Sequence, residues 1–194
     1  LNQIEAMLDG IYRPDKARLE SMHAEIARTG ELLNELEDRL IYENDSFELN
    51  IASTDISEIT AKVALGHEGG FAQKGLEFIT GIEPGIVIPA DSIRFAQVLI
   101  NMLSNALKYT GAGSVSLTLK REVDSAELVI IDTGEGMAPE VAENINKRSV
   151  QAFKAVNSKG VGLFIAKLII DKHGWKLRLD SRPDGGTRIS VLMQ

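Results

Sequence analysis

The sequence predicts an α+β fold, a two-layer α/β sandwich in which a mixed sheet carries its helices on one face, preceded by a helical hairpin. Three observations predict it. Residues 1–45 place apolar side chains at helical spacing, residues 46–194 alternate short β-rich runs with helical ones, and the last strands are paired across tight turns. The expected division is therefore a hairpin over 1–45 and a compact domain over 46–194.

Residues 1–10 and 15–42 both read as helix, separated by "GIYRPDK", where Gly10 ends the first and Pro14 starts the second. Leu19, Met22, Ile26, Leu33, Leu36 and Leu40 form an apolar stripe on the second arm, which needs a partner helix from the same chain or from a second copy. "FELNIAS" (47–53) reads as a strand, and 55–73 as a helix fraying around "GHEGG". Another strand is expected at "LEFITGI" (76–82), and Asp91 is the expected N-cap of a helix running to Tyr109. "SVSLTLKR" (114–121) and "AELVIID" (126–132) read as two strands, followed by a long polar segment to about residue 159. A helix over 160–173 then leads to a closing hairpin, "WKLRLDSR" (175–182) with "GTRISVLM" (186–193) across "PDGG".

Composition narrows the function classes. With 44% hydrophobic residues, the chain has enough apolar side chains for a real core. Its 21 Lys and Arg against 28 Asp and Glu give a formal charge of −7, which argues against nucleic acid held on a general basic surface, so any phosphate site is local. No cysteine is present, which removes disulfides, thiolate metal sites and a cysteine nucleophile. His23, His67 and His173 are too scattered for a metal cluster. The longest apolar run, "GVGLFIAKLIID", is interrupted by Lys167 and falls short of the roughly 20 residues of a membrane span. The expectation is a soluble cytoplasmic piece of a longer chain, with any membrane contact made through segments outside it.

Chemistry concentrates in three places. In "NMLSNALKYT" (101–110), residues Asn101, Asn105, Lys108 and Tyr109 fall within an arc of roughly 100° on a helix, opposite Phe95, Leu99, Met102, Leu103, Ala106 and Leu107. Two asparagines one turn apart are costly inside a helix, so a solvated face is a weaker reading than a site. In "DTGEGM" (132–137), Asp132 ends a strand, and Gly134 and Gly136 leave backbone that a ligand can approach. In "SKGVGLFIAK" (158–167), Gly160 and Gly162 open an apolar helix whose first amides are unpaired and suit an anion.

Together, in this order and spacing, the three stretches resemble the N, G1 and G2 boxes of the sensor histidine kinases, within the ATPase superfamily that also holds DNA gyrase B, the Hsp90 chaperones and MutL. "DGGTRISV" (184–191), with Gly185, Gly186 and Thr187, resembles the last box. The resemblance covers 47–194 as the ATP-binding domain with its Bergerat fold, and the preceding hairpin is similar to the later part of the dimerisation and histidine phosphotransfer domain.

What the resemblance implies is specific. Asn105 would ligate Mg2+, with Asn101 supporting the metal or the phosphates; Lys108 would place its ammonium on the phosphates and Tyr109 its ring on the adenine or ribose. Asp132 would accept a hydrogen bond from the exocyclic amine of adenine, with Gly134 and Gly136 giving room for the base. Backbone around Lys159, Gly160, Val161, Gly162 and Leu163 would face the triphosphate of ATP, and Thr187 would help a water-mediated base contact. Arg148, with Lys147, Lys154 and Lys159, gives a lid basic enough to reach the γ-phosphate, though a solvated basic loop reads nearly as well. The implied partners are a response regulator receiver domain and a second copy joined through the hairpin.

Several positions depart from the family pattern. Asn146 and Ser149 stand where lid aromatics are expected, Ser158 where G2 normally has glycine, and Trp175 where a second glycine follows His173. Leu1 matches the last position of the phosphoacceptor box, so the phosphorylated histidine is expected outside this chain. His23 lacks the box around it and reads as a surface or interface residue. Two relatives of the main reading stay open: a nucleotide-binding pseudokinase and an anti-sigma-type serine kinase module.

Overall fold

The computed structural model describes residues 47–147 and 161–194, together with Asp15, Lys16, Leu19, Ser21, Met22, Glu25 and Gly30. The chain divides into two compact units, Leu1–Glu43 and Asn44–Gln194. In the first, all the described residues except Asp15 are helical, and the Leu19 amide donates to Asp15 O across one turn. The rest of the predicted hairpin, His23 included, lies outside the described residues, as do Arg148, Ser149, Lys154, Ser158, Lys159 and Gly160.

The second unit is built in the order β1 (Ala52–Asp55), α1 (Ile56–Gln73), β2 (Glu77–Ile82), β3 (Val87–Ala90), α2 (Ser92–Tyr109), β4 (Ser114–Arg121), β5 (Ala126–Asp132), α3 (Pro139–Lys147), α4 (Val161–Lys172), β6 (Lys176–Ser181) and β7 (Thr187–Met193). Five strands form one sheet in the order β2-β4-β5-β7-β6, and β1 pairs with β3 in a separate ribbon. Only β2 and β4 run parallel, so the sheet is mixed. Val115, Leu117 and Leu119 on β4, Leu128 and Ile130 on β5, and Ile189, Val191 and Met193 on β7 are buried. Ser116, Thr118 and Arg188 alternate with them on the more open face. The buried face meets Phe95, Leu99, Met102 and Leu103 of α2 and Ile165 and Ile169 of α4, a two-layer arrangement with helices on one face.

The structure departs from the prediction in several places, among them α3, which lies within the segment read only as polar. The strand expected at 47–53 begins only at Ala52, because the backbone before it is held by side chains: Asn50 N donates to Asp91 Oδ2 at 2.9 Å, and Lys172 Nζ to Phe47 O at 2.9 Å. β3 is absent from the sequence prediction; in the structure Pro89, a residue that interior strand ladders disfavour, sits opposite Ser53 in a two-stranded ribbon that tolerates it. The fraying expected at "GHEGG" does not occur. There α1 packs so closely on α2 that a Cβ on Gly70 would lie 3.0 Å from Leu107 Cδ2, and the next residue, Phe71, is buried and stacked on Phe78 at 4.4 Å. Tertiary packing outweighs the roughly 1 kcal/mol helix cost of a glycine.

Asp91 caps α2 as predicted, accepting from the Ile93 and Arg94 amides at 3.0 Å each. The end of α4 explains Trp175. Gly174 turns the chain at φ +75°, and Trp175 enters the core edge-on to Phe95, 6.0 Å away, with its other side stacked on His173. An indole fills a site that a second glycine would leave empty.

Candidate nucleotide-binding site

The polar face of α2 forms as the helical spacing requires. Asn101, Asn105 and Tyr109 are half-buried and Lys108 is exposed, while Phe95, Leu99, Met102, Leu103 and Ala106 are buried on the other side. The end of α2 is tied to the loop after β5, where Glu135 N donates to Tyr109 O at 3.2 Å. At Gly134 a Cβ would lie 2.4 Å from Tyr109 O, so this approach needs glycine. Gly136, at φ +68°, would place a Cβ 1.9 Å from Arg182 O. The space these glycines leave is taken first by protein backbone.

The same loop is joined to the β6–β7 turn. Asp184 N donates to Glu135 O at 2.8 Å, Gly186 N to Gly134 O at 3.1 Å, and Met137 N to Ser181 Oγ at 2.9 Å. Thus the "DTGEGM" and "DGGT" stretches, distant in sequence, form one folded floor.

Above that floor is a cavity of about 220 Å3. Asn105 and Tyr109 enter it from α2, Asp132 from β5, Thr187 from β7, Gly136 from the loop and Leu163 from α4. Asn101 does not line it but packs beside it: a Cβ on Gly162 would sit 3.3 Å from Asn101 Cγ, which puts the first turn of α4 against this asparagine. Asn101 Nδ2 is buried with no hydrogen-bond partner among the described residues. Lys108 stays outside the cavity with its Nζ 5.4 Å from the centre of the Tyr109 ring. The backbone of Val161 begins α4; Arg148, Lys159 and Gly160 lie outside the described residues.

Most of the remaining wall is apolar and was not anticipated: Met102 and Ala106, Ile130 and Ile189, Met137, Val141 and Ile145, and Phe164. The one local signal was Val141 and Ile145, four residues apart and so on one face of α3. The cavity is smaller than the roughly 300–1,000 Å3 of pockets that enclose a whole ligand, which suits a flat ring system with the rest of the molecule extending out. Burial pushes the Asp132 carboxyl above its usual range, against the backbone amides of Gly134 and Thr187, which pull it down. Gly134 N donates to Asp132 Oδ1 at 2.9 Å, which orients the carboxylate.

Comparison with known proteins identifies the family of this domain. Residues 90–194 match the family described as "Histidine kinase-, DNA gyrase B-, and HSP90-like ATPase". The chain belongs to this family. As an ATPase-family domain it takes an adenine nucleotide. Among relatives of this ATPase domain, the sensor protein KdpD of Escherichia coli is 27% identical over 183 residues, 93% of this chain and 20% of that protein. The adaptive-response sensory kinase SasA of Prochlorococcus marinus is 34% identical over 143 residues, 71% of this chain and 39% of that protein. The chain thus spans well under half the length of these relatives. Full-length ShkA, solved in complex with AMPPNP, superposes with a TM-score of 0.70 at 24% identity, over 94% of this chain and 40% of that one. Among the described residues no helix is long and apolar enough to cross a membrane.

The residues present also fit a divalent cation brought in by a nucleotide. No group of three or more acidic or histidine side chains suited to a metal occurs among the described residues. A single amide oxygen, as at Asn105, suits Mg2+, which keeps its waters and takes its other ligands from phosphates.

Proposed function

We propose that residues 46–194 are the ATP-binding catalytic domain of a two-component sensor histidine kinase, and residues 1–45 the later part of its dimerisation and histidine phosphotransfer hairpin. The observation that carries the reading is the convergence of Asn105, Asp132 and Thr187 on one mostly apolar cavity, with the start of α4 beside it. In this reading adenine enters the cavity, its exocyclic amine donates to Asp132, and Tyr109 and Leu163 flank the base or ribose. Thr187 assists through water. The triphosphate leaves towards the amides of Lys159, Gly160, Val161 and Gly162. Lys108 and Arg148 supply positive charge there, and Asn101 offers its amide donors to a phosphate or its amide oxygen to a metal-bound water.

Asn105 would hold Mg2+, which supplies neutralisation of phosphate charge. The chain's own contribution is positioning: the base is fixed at Asp132 and the γ-phosphate is held at the edge of the domain. A histidine nitrogen then attacks phosphorus in line as the bond to the β–γ bridging oxygen breaks. The phosphoryl group passes on to an aspartate of a response regulator receiver domain. Pairing of hairpins from two copies and a cytoplasmic location complete the proposal.

The test has two parts. A fluorescent ATP analogue titrated with and without Mg2+ is expected to bind, more tightly with the metal, and Asp132→Ala to abolish binding. Adding γ-labelled ATP together with a histidine phosphotransfer hairpin is then expected to label histidine. Binding without any transfer would point to a pseudokinase, and labelling of serine to the anti-sigma type.

A further inference from the structure

Ser181, at the end of β6, makes three contacts through one oxygen. Its Oγ accepts from Met137 N at 2.9 Å, lies 3.1 Å from Gly186 O, and lies 3.0 Å from Thr187 Oγ1. A serine hydroxyl has one proton and two lone pairs, and these contacts use all three. Gly186 O has no proton to give and also accepts from Arg182 N at 3.4 Å; the Ser181 proton directed at it keeps two lone-pair oxygens from facing each other at 3.1 Å. Met137 N–H takes one lone pair. The other is left for Thr187, and the proton between the two hydroxyls therefore comes from Thr187. This direction is assigned from the network of partners.

We infer that Ser181 is a positioning residue for base selection: by taking the Thr187 proton, it leaves Thr187 able only to accept hydrogen bonds inside the cavity. Thr187 is 5% exposed and lines that cavity opposite Asp132, its direct partner across β5 and β7. Two acceptor-only groups side by side suit a base, or a bridging water, that donates. Adenine presents an amine at its 6-position and satisfies them. Hypoxanthine and guanine present a carbonyl oxygen there and meet lone pairs on both sides, with no proton free to turn towards it. Without Ser181 the Thr187 hydroxyl regains a proton that can rotate into the cavity and donate to such an oxygen. The inference rests on the proposal that adenine sits at Asp132 and Thr187.

The experiment measures Kd for ATP and for inosine triphosphate, which differs at the 6-position and at ring nitrogen protonation, by titration calorimetry on the full chain. Ser181→Ala is expected to reduce the ATP-over-ITP preference about 5- to 10-fold, the worth of one hydrogen bond. Ser181→Thr, which keeps the hydroxyl, is expected to retain the preference. In a Thr187→Val background Ser181→Ala is expected to leave the ratio unchanged, because no hydroxyl remains to orient. Thr187→Val alone, with Ser181 intact, is expected to lower the ratio even if Ser181→Ala does not fold. Equal weakening of ATP and ITP by Ser181→Ala, or an unaltered ratio in Thr187→Val, would overturn the inference and reduce Ser181 to a support for the Met137 loop. Failure of the unmodified chain to bind ATP at all would instead overturn the nucleotide reading and this inference with it.

Discussion

Asp132 and Thr187 stand directly opposite each other where β5 and β7 pair antiparallel, and both side chains line the same cavity. Facing residues of this kind have Cβ atoms roughly 4.5–5.5 Å apart, close enough to contact one small group together. The pair is the polar end of a slot whose other walls are mostly apolar.

A buried carboxylate raised above its usual range is a cost to the nucleotide-free domain. The sign is that of a raised acid: its relative stabilisation is full below the ordinary aspartate value and is lost as pH rises through the higher folded value. Asp132→Asn removes that charge while its amide oxygen still accepts from Gly134 N. Nucleotide affinity is therefore expected to fall at least about 100-fold, while the apo melting temperature at pH 7 holds or rises. Calorimetry and a thermal melt on the same sample check both. A large fall in melting temperature would refute the account of this residue.

Asn105 is expected to matter only when metal is present. Asn105→Ala should leave ATP affinity in EDTA nearly unchanged and abolish the gain on adding Mg2+. Equal losses in both buffers would show the side chain contacting the nucleotide rather than the ion.

Two glycines with similar backbone separate strain from collision. Gly136 and Gly174 have φ of +68° and +75°, but only at Gly136 would a Cβ strike backbone, 1.9 Å from Arg182 O; at Gly174 nothing lies within 4 Å. Gly174→Ala is expected to cost about 1–2 kcal/mol from left-handed strain alone. Gly136→Ala is expected to cost about 2 kcal/mol more and to weaken ATP binding as the loop shifts. Urea denaturation midpoints compare them.

His173 ties the Asp91 cap of α2 to the end of α4 in its neutral form. Its Nε2 accepts from Asp91 N at 3.1 Å, which leaves Nδ1 protonated and donating to Ile169 O at 2.8 Å. Burial lowers its pKa, against the Ile169 carbonyl and the Asp91 carboxylate, which raise it. The unfolded chain therefore takes up a proton near the ordinary value of about 6.5, before the folded chain does. The stability contributed is present above that pH and is lost as pH falls from it towards the lower folded value. Urea midpoints at pH 7.5 and 5.5 are expected to differ, and the difference to shrink in His173→Asn.

Much of the site was legible locally. Asn101, Asn105, Lys108 and Tyr109 were assigned to one helix face from spacing alone, because a helix repeats every 3.6 residues whatever it packs against. Asp132 was legible as a polar residue ending a β-rich run. Met137, Val141, Ile145 and Phe164 were not, since an apolar residue carries no mark of whether it walls a cavity or fills a core. β3 is not legible locally, since a four-residue run holding Pro89 is a weak strand signal until it pairs with β1. Trp175 read as a departure from a family pattern, and its place against Phe95 and His173 exists only in the folded domain.

The amino-acid order by itself determined the helix faces, the strand alternation, the cap at Asp91 and the succession of boxes, all properties of residues within a few positions of one another. Tertiary structure decided which polar groups share a cavity, which residue stands opposite Asp132, and which hydroxyls meet at Ser181 and Thr187. The physical reason is the range of the forces involved. Dihedral preference and periodicity act along the chain, whereas strand register, cavity walls and hydroxyl direction follow from packing and hydrogen bonding between segments that meet only when the sheet closes.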